Sequence, residues 1–272
     1  MKPPALRWSR DREAEIQRRM LDVLERRFRR RVARAVLTHS KRLIDGYAAL
    51  GFVPPPDDLA VQEMREVYRD MALASVRTFG ARMITQGKSA GLILETKAGF
   101  WSNLFDSLSN AWVNLEPIRR RIVQVTETTR AQIVDRVSRG EAAGLSVDAI
   151  ARDISKEVPG ISRFRGALIA RTETHGAANY ASHSVAKETG LDLVKEWVSG
   201  LDHRTRSIGR GDAFDHLAMD GQKRPLDEPF EMPWLGGGGE PLRIMYPGEA
   251  GHPGGATINC RCTTVHAVAG LD

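Results

Sequence analysis

The chain has 272 residues, 42% of them hydrophobic, and a formal net charge of +6. That length buries a core in one or two domains, and no run of about 18 apolar residues offers a membrane span. The charge is lopsided: residues 1–50 hold 14 Lys/Arg against 6 Asp/Glu, and the remaining 222 hold 26 against 28. The opening "MKPPALRWSRDREAEIQRR" lacks the apolar stretch of a secretory signal, so an intracellular setting, or a particle assembled inside a cell, is expected.

From Asp11 to about Leu50 the spacing predicts a helix, because Ile16, Met20, Val23, Leu24, Phe28 and Val32 recur at steps of three and four. Arg26, Arg27, Arg29, Arg30, Arg31 and Arg34 fall between them. They form either a solvated face or a surface for nucleic acid or an acidic protein. Aromatic residues are sparse there, which argues against stacking on single strands. "GFVPPPDD" (Gly51 to Asp58) cannot continue the helix, and Asp57 or Asp58 can cap a second one from Leu59 to about Gln86. Leu92 to Glu95 is too short to assign, and Phe100 to Val113 carries an apolar helical stripe. Pro117 suits the first turn of a helix that ends near Gly140. Ser146 can cap the next, with Leu145 and Ile150 as a staple. That helix is expected to stop at "VPG" (Val158 to Gly160), and another to run from about Arg163 to Thr189. "LVKEWVSG" and "CTTVHAV" then read as strands separated by Gly/Pro-rich loops. The expected fold is α+β: a long, basic helical part over residues 1–144, then a compact module of helices and a small antiparallel sheet over 145–272.

Both cysteines of the chain sit in "INCRC". A bridge between Cys260 and Cys262 would close a strained ring, whereas two thiolates one residue apart suit a soft cation such as zinc. The alternatives are two buried thiols behaving as small hydrophobes, or one cysteine nucleophile paired with His216. His216 leads as a third ligand, and His203, His252, His266 and Asp202 compete for the fourth place. In "DHRTR", Asp202 can close a turn, while Arg204 and Arg206 can pair with carboxylates or meet a phosphate. In "RTETH", Arg171 and His175 share a helix face, and any partner of Glu173 lies elsewhere. A buried polar network tying this helix to the sheet is the expected role. No phosphate-binding loop, G-x-S-x-G or H-E-x-x-H pattern occurs.

Taken in order, Arg171-Thr-Glu173, Trp197, Asp202-x-Arg204-x-Arg206, His216, Asp220-Gly221, Phe230, Pro247-Gly248 and Asn259-Cys-Arg261-Cys262 resemble the C-terminal domain of the phage Mu F-like minor head proteins, also called the phage head morphogenesis family. The resemblance spans about residues 145–268. Its spacer "SIGRGDAF" is longer than the family's pattern, which keeps His203 in contention. The resemblance implies a non-enzymatic virion component, assembled in the host cytoplasm and placed in the head interior or near the portal. Its partners would be portal and major capsid or scaffold proteins, with packaged DNA reached through the N-terminal basic helix and a role in DNA packaging or ejection. A structural zinc would pin the C-terminal module. Two enzyme classes compete: an ADP-ribosyltransferase-like activity using Arg171, and a metal nuclease built on His216 and the cysteines. The first is disfavoured because no E-x-E or Q-x-E pair follows residue 160. A DNA-binding protein acting through residues 1–50 is the remaining alternative.

Overall fold

The computed structural model of the chain describes residues 10–89 and 99–269; the short run Leu92–Glu95 lies outside them. Helix α1 (Arg10–Leu50) ends where Gly51 takes φ +75 ahead of the three prolines. The Asp57 carboxylate accepts the Ala60 N–H at 2.7 Å and starts α2 (Asp58–Ser89). Helix α3 (Phe100–Asn114) is followed after one residue by α4 (Glu116–Ala142), with Pro117 in its first turn. Ser146 caps α5 (Val147–Glu188) through the Ala149 N–H at 3.3 Å. Leu145 is 45% exposed, so the expected staple does not form; Ile150 instead fills the space that a Cβ on Gly140 would need.

Helix α5 does not stop at Val158–Gly160; it runs through Pro159 for 42 residues. An interior proline removes one hydrogen bond and crowds the preceding turn, at about 3 kcal/mol. Continuity is favoured because Ile150, Ile154 and Val158, ahead of the proline, are all buried in one aliphatic core. Beyond it Ser162 and Gly166 keep the same side packed. Tertiary burial outweighs the local breaker.

Compactness divides the chain into two units. One is wholly helical and comprises Glu25–Asp70 and Val113–Arg171. Its core joins Leu43, Ile44, Tyr47 and Val53 to Ile133, Val137, Ile150, Ile154 and Val158. Gly166 of α5 lies so close to α1 that a Cβ there would stand 2.7 Å from the Ala33 backbone. Arg165 donates to the Thr129 hydroxyl (2.7 Å) and the Val125 carbonyl (3.1 Å), and burial lowers its pKa. The six arginines of the basic stretch, Arg26, Arg27, Arg29, Arg30, Arg31 and Arg34, are all exposed in this unit. Arg31 pairs with Asp70.

The other unit takes the chain up to Leu24, Met71–Trp112 and everything from Thr172. Strand β1 (Leu193–Val198) is the centre of an antiparallel sheet, flanked by β2 (Lys223–Pro225) and β5 (Thr263–Val268). Leu193, Lys195 and Trp197 alternate onto one buried face. A second antiparallel pair joins β3 (Phe230–Met232) to β4 (Leu242–Ile244). Between the strands, Trp234 organises the glycine run. Its ring covers Gly236 and Gly237, stacks on Phe214 at 5.6 Å, and its N–H donates to the Glu240 carbonyl at 3.1 Å. The architecture is the expected α+β: long helices first, a small antiparallel sheet late in the chain.

Candidate metal centre

The turn before β5 and the loop after β1 meet at one point. Trp197, Phe214, Met219, Phe230, Met232, Ile244 and Ala256 form an apolar cluster, and Cys260 and Cys262 complete it. His216 enters from the long spacer, which folds into a 3-10 turn at Ile208–Arg210. Two aspartates close that loop. Asp212 accepts the Ser207 N–H at 3.0 Å, and Asp215 accepts the N–H groups of Ile208 (3.2 Å) and Ala218 (2.9 Å). The spacer is therefore looped on itself, and His216 arrives buried, with 2% of its surface exposed.

The His216 ring is set by both nitrogens. Its Nε2–H donates to the Gly255 carbonyl at 3.1 Å, which leaves the Nδ1 lone pair facing both sulfurs at 3.6 Å each. One lone pair with two thiols around it is a poor hydrogen-bond match but a good ligand set. Zinc at about 2.3 Å from sulfur and 2.0–2.1 Å from nitrogen in a tetrahedron gives S···N edges of about 3.6 Å. All three donor atoms lie within 4.8 Å of one another. The Gly255 contact is the kind of outer hydrogen bond that would orient this imidazole as a ligand. The hydrogen bond between the two sulfurs raises the Cys260 thiol, with burial adding, and depresses Cys262 against the opposing effect of burial. Metal ligation takes the thiolate form.

Helix α5 buttresses the turn. His175 Nε2–H donates to the Cys262 carbonyl, Asn179 donates to the same oxygen at 3.4 Å, and the Thr172 hydroxyl accepts the Asn259 N–H at 3.1 Å. Burial lowers the His175 pKa, so the ring is neutral. From α1, Gln17 accepts the Thr263 hydroxyl. The "RTETH" helix thus holds the turn through Thr172 and His175. Within that segment Glu173 is buried, and Arg171 forms a two-pronged pair with Glu25 at 2.8 and 3.0 Å. Trp197 is buried edge-on to His216 at 6.4 Å.

The His203 side chain is exposed and lies outside the group of donors formed by His216, Cys260 and Cys262. It follows Leu201, which has a φ of 55°, and Asp202, which folds the turn onto itself. The Asp202 carboxylate accepts the Arg204 N–H (3.0 Å), its guanidinium (3.1 Å) and the Thr205 hydroxyl (3.2 Å). Burial would raise that carboxyl, but these bonds more than reverse it. Arg206 donates to the Ile258 carbonyl at 3.0 Å, fastening this turn to the cysteine loop. His252 pairs with Glu249 at 3.0 Å, and His266 lies on β5 opposite Lys195.

Another buried group leaves no mark on the sequence pattern. Lys195 is fully buried on β1, donating to the Met245 carbonyl at 2.8 Å and lying 5.0 Å over the Phe230 ring. Burial pushes its pKa down to about 8. Burial, then the Lys195 and Lys187 charges, lowers His183 to about 4. Burial, then His183 and Lys195, lowers His266 to about 3. Lysine and histidine in an alternating strand give no sign of burial, since their partners come from distant loops. His175 and Asn179, four apart in an alanine-rich helix, are the one legible hint.

Residues 131–265 match the model of a family described as Phage Mu protein F like protein. The chain is also similar to the NAD(+)--arginine ADP-ribosyltransferase EFV of Enterococcus faecalis (strain ATCC 700802 / V583). Identity is 28% over 169 residues, which cover 61% of this chain and 31% of that protein. The chain therefore spans about a third of the length of this relative. No solved structure matches. Among the described residues, no helix is long and apolar enough to cross a membrane.

Proposed function

We propose, from the match of residues 131–265 to the model of the Phage Mu protein F like family, that the protein is a structural minor component of a tailed-phage head. It acts in head morphogenesis and associates with the portal or procapsid. The observation that supports this reading is the convergence of the matched segment's landmarks. Thr172 and His175 of α5, Trp197 of β1, His216 and the Asn259–Cys262 turn all serve one pinned module. Zinc on His216, Cys260 and Cys262 would hold the loops rigid. The helical unit supplies the docking surface, its exposed arginines facing portal, capsid or scaffold proteins, or packaged DNA.

The enzyme named in the Enterococcus relative belongs to a protein of which this chain matches 31%. Two features speak against that activity here. Arg171 is held in its pair with Glu25, and no E-x-E or Q-x-E pair follows residue 160. Mass spectrometry of gradient-purified heads tests the structural reading. The chain is expected in the heads at low copy relative to the major capsid protein. Its absence from heads, with recovery only from the soluble lysate, would overturn the proposal.

A further inference from the structure

A structural zinc site is closed by four protein ligands, whereas a site with three leaves one position for water or an incoming ligand. Here the protein supplies three. Among the described residues the donor group holds His216, Cys260 and Cys262 and no fourth histidine, cysteine or carboxylate. The neighbours of suitable chemistry are committed elsewhere. Asp202 is bound by Arg204 and Thr205, His175 by the Cys262 carbonyl, and His252 by Glu249.

The fourth direction has a defined surrounding. A small cleft opens on the three donors and is lined by Gly200, Asp202, Arg204, Arg206, Asn259 and Arg261. Its volume of ≈ 20 Å³ admits a water or two, or the end of a slender anion. Two thiolates neutralise a divalent cation, so the cleft's three guanidinium groups and one carboxylate leave it net positive. Of the two non-glycine residues at positive φ among those described, Asn259 (59°) lines this cleft and Leu201 (55°) lies in the chain between two residues that do, Gly200 and Asp202. Backbone strain of about 1–3 kcal/mol per residue persists where the surroundings enforce it, and it gathers at functional sites.

We propose that the metal keeps one exchangeable coordination position, and that this position takes a small anion drawn in by Arg204, Arg206 and Arg261. The inference rests on the metal reading above but not on the phage-head role. Cobalt(II) in place of zinc tests it on the full chain, because its visible spectrum reports coordination directly. One cobalt per chain is expected, and azide should shift the bands saturably. Arg206→Gln should keep its cobalt and bind azide roughly threefold more weakly, the size of one exposed charge interaction. If that variant loses cobalt through its lost bond to Ile258, Arg204→Gln carries the same test from the rim. A cobalt spectrum indifferent to azide shows a closed site and overturns this inference while leaving the metal. Failure of the native chain to take up cobalt removes both.

Discussion

In the helical unit, Leu43, Ile44, Ile133, Val137, Ile150, Ile154 and Val158 bury one continuous aliphatic stripe. The sheet-bearing unit instead buries two cysteines, His216, Lys195 and two further imidazoles, His175 and His183. Charge divides the same way. Glu25–Asp70 with Val113–Arg171 carry 21 Lys/Arg against 14 Asp/Glu, and the rest of the chain carries 19 against 20. The contrast teaches where each unit is vulnerable. Many interchangeable methyl groups tolerate single losses, but a loop-rich unit stitched by a few polar contacts depends on each stitch.

The largest effect should come from cutting the tightest stitch. Cys260→Ser or Cys262→Ser should abolish zinc retained per chain, read by elemental analysis. Either should cost about 4 kcal/mol in a denaturant titration, since loss of a metal ligand is among the few single changes of that size. Metal-free protein of unchanged stability would erase the proposed difference between the units.

Acid should separate them next. In the unfolded chain His183 titrates near 6.5, but in the fold burial and the Lys195 and Lys187 charges hold it at about 4. Below pH 6.5 the unfolded state takes up a proton that the folded state refuses. Stability therefore falls as pH drops toward 4, by about 3 kcal/mol at 1.36 kcal/mol per unit. His266, lowered to about 3 by burial and the same neighbours, extends the loss in the same direction. Denaturant midpoints of wild type and His183→Phe at pH 7.5 and 4 isolate the effect from any metal release. The variant should lose markedly less, and equal losses would remove His183 as the cause.

These groups also mark what was legible in the sequence. Four of the five long helices and the two long strands follow from periodicity, caps and prolines, all local signals. Pro159 misleads because its cost is local while the burial that outweighs it, through Ile154 and Val158, is tertiary. The Cys260/Cys262 pair and His216 could be nominated by chemistry alone. The exposed position of His203 could not, because it depends on the turn that Asp202 closes on Arg204. Lys195 could not be seen as buried, since its acceptor is the carbonyl of Met245, 50 residues later.

A smaller change should strike the helical unit alone. Gly166→Val would drive a side chain into the Ala33 backbone and cost about 2 kcal/mol as overpacking. One zinc per chain should remain. Loss of metal in this variant would mean that the two units do not fail separately.

The smallest effect on stability should come from the residues proposed to matter most for partners. Arg26, Arg30 and Arg34 stand four apart on one exposed row of α1, and none forms an ion pair among the described residues. Like charges at this spacing repel by about 0.2–0.5 kcal/mol per pair. Replacing all three by glutamine should therefore leave stability unchanged or raise it by up to about 1 kcal/mol. The proposed docking role gives the row an anionic partner that would offset the repulsion. If that partner is DNA, filter binding at two salt concentrations should show weaker affinity and a shallower salt slope, by about one unit for each phosphate the variant no longer neutralises. An unchanged slope would assign the arginines to protein partners, and a large loss of stability would make them part of the fold instead.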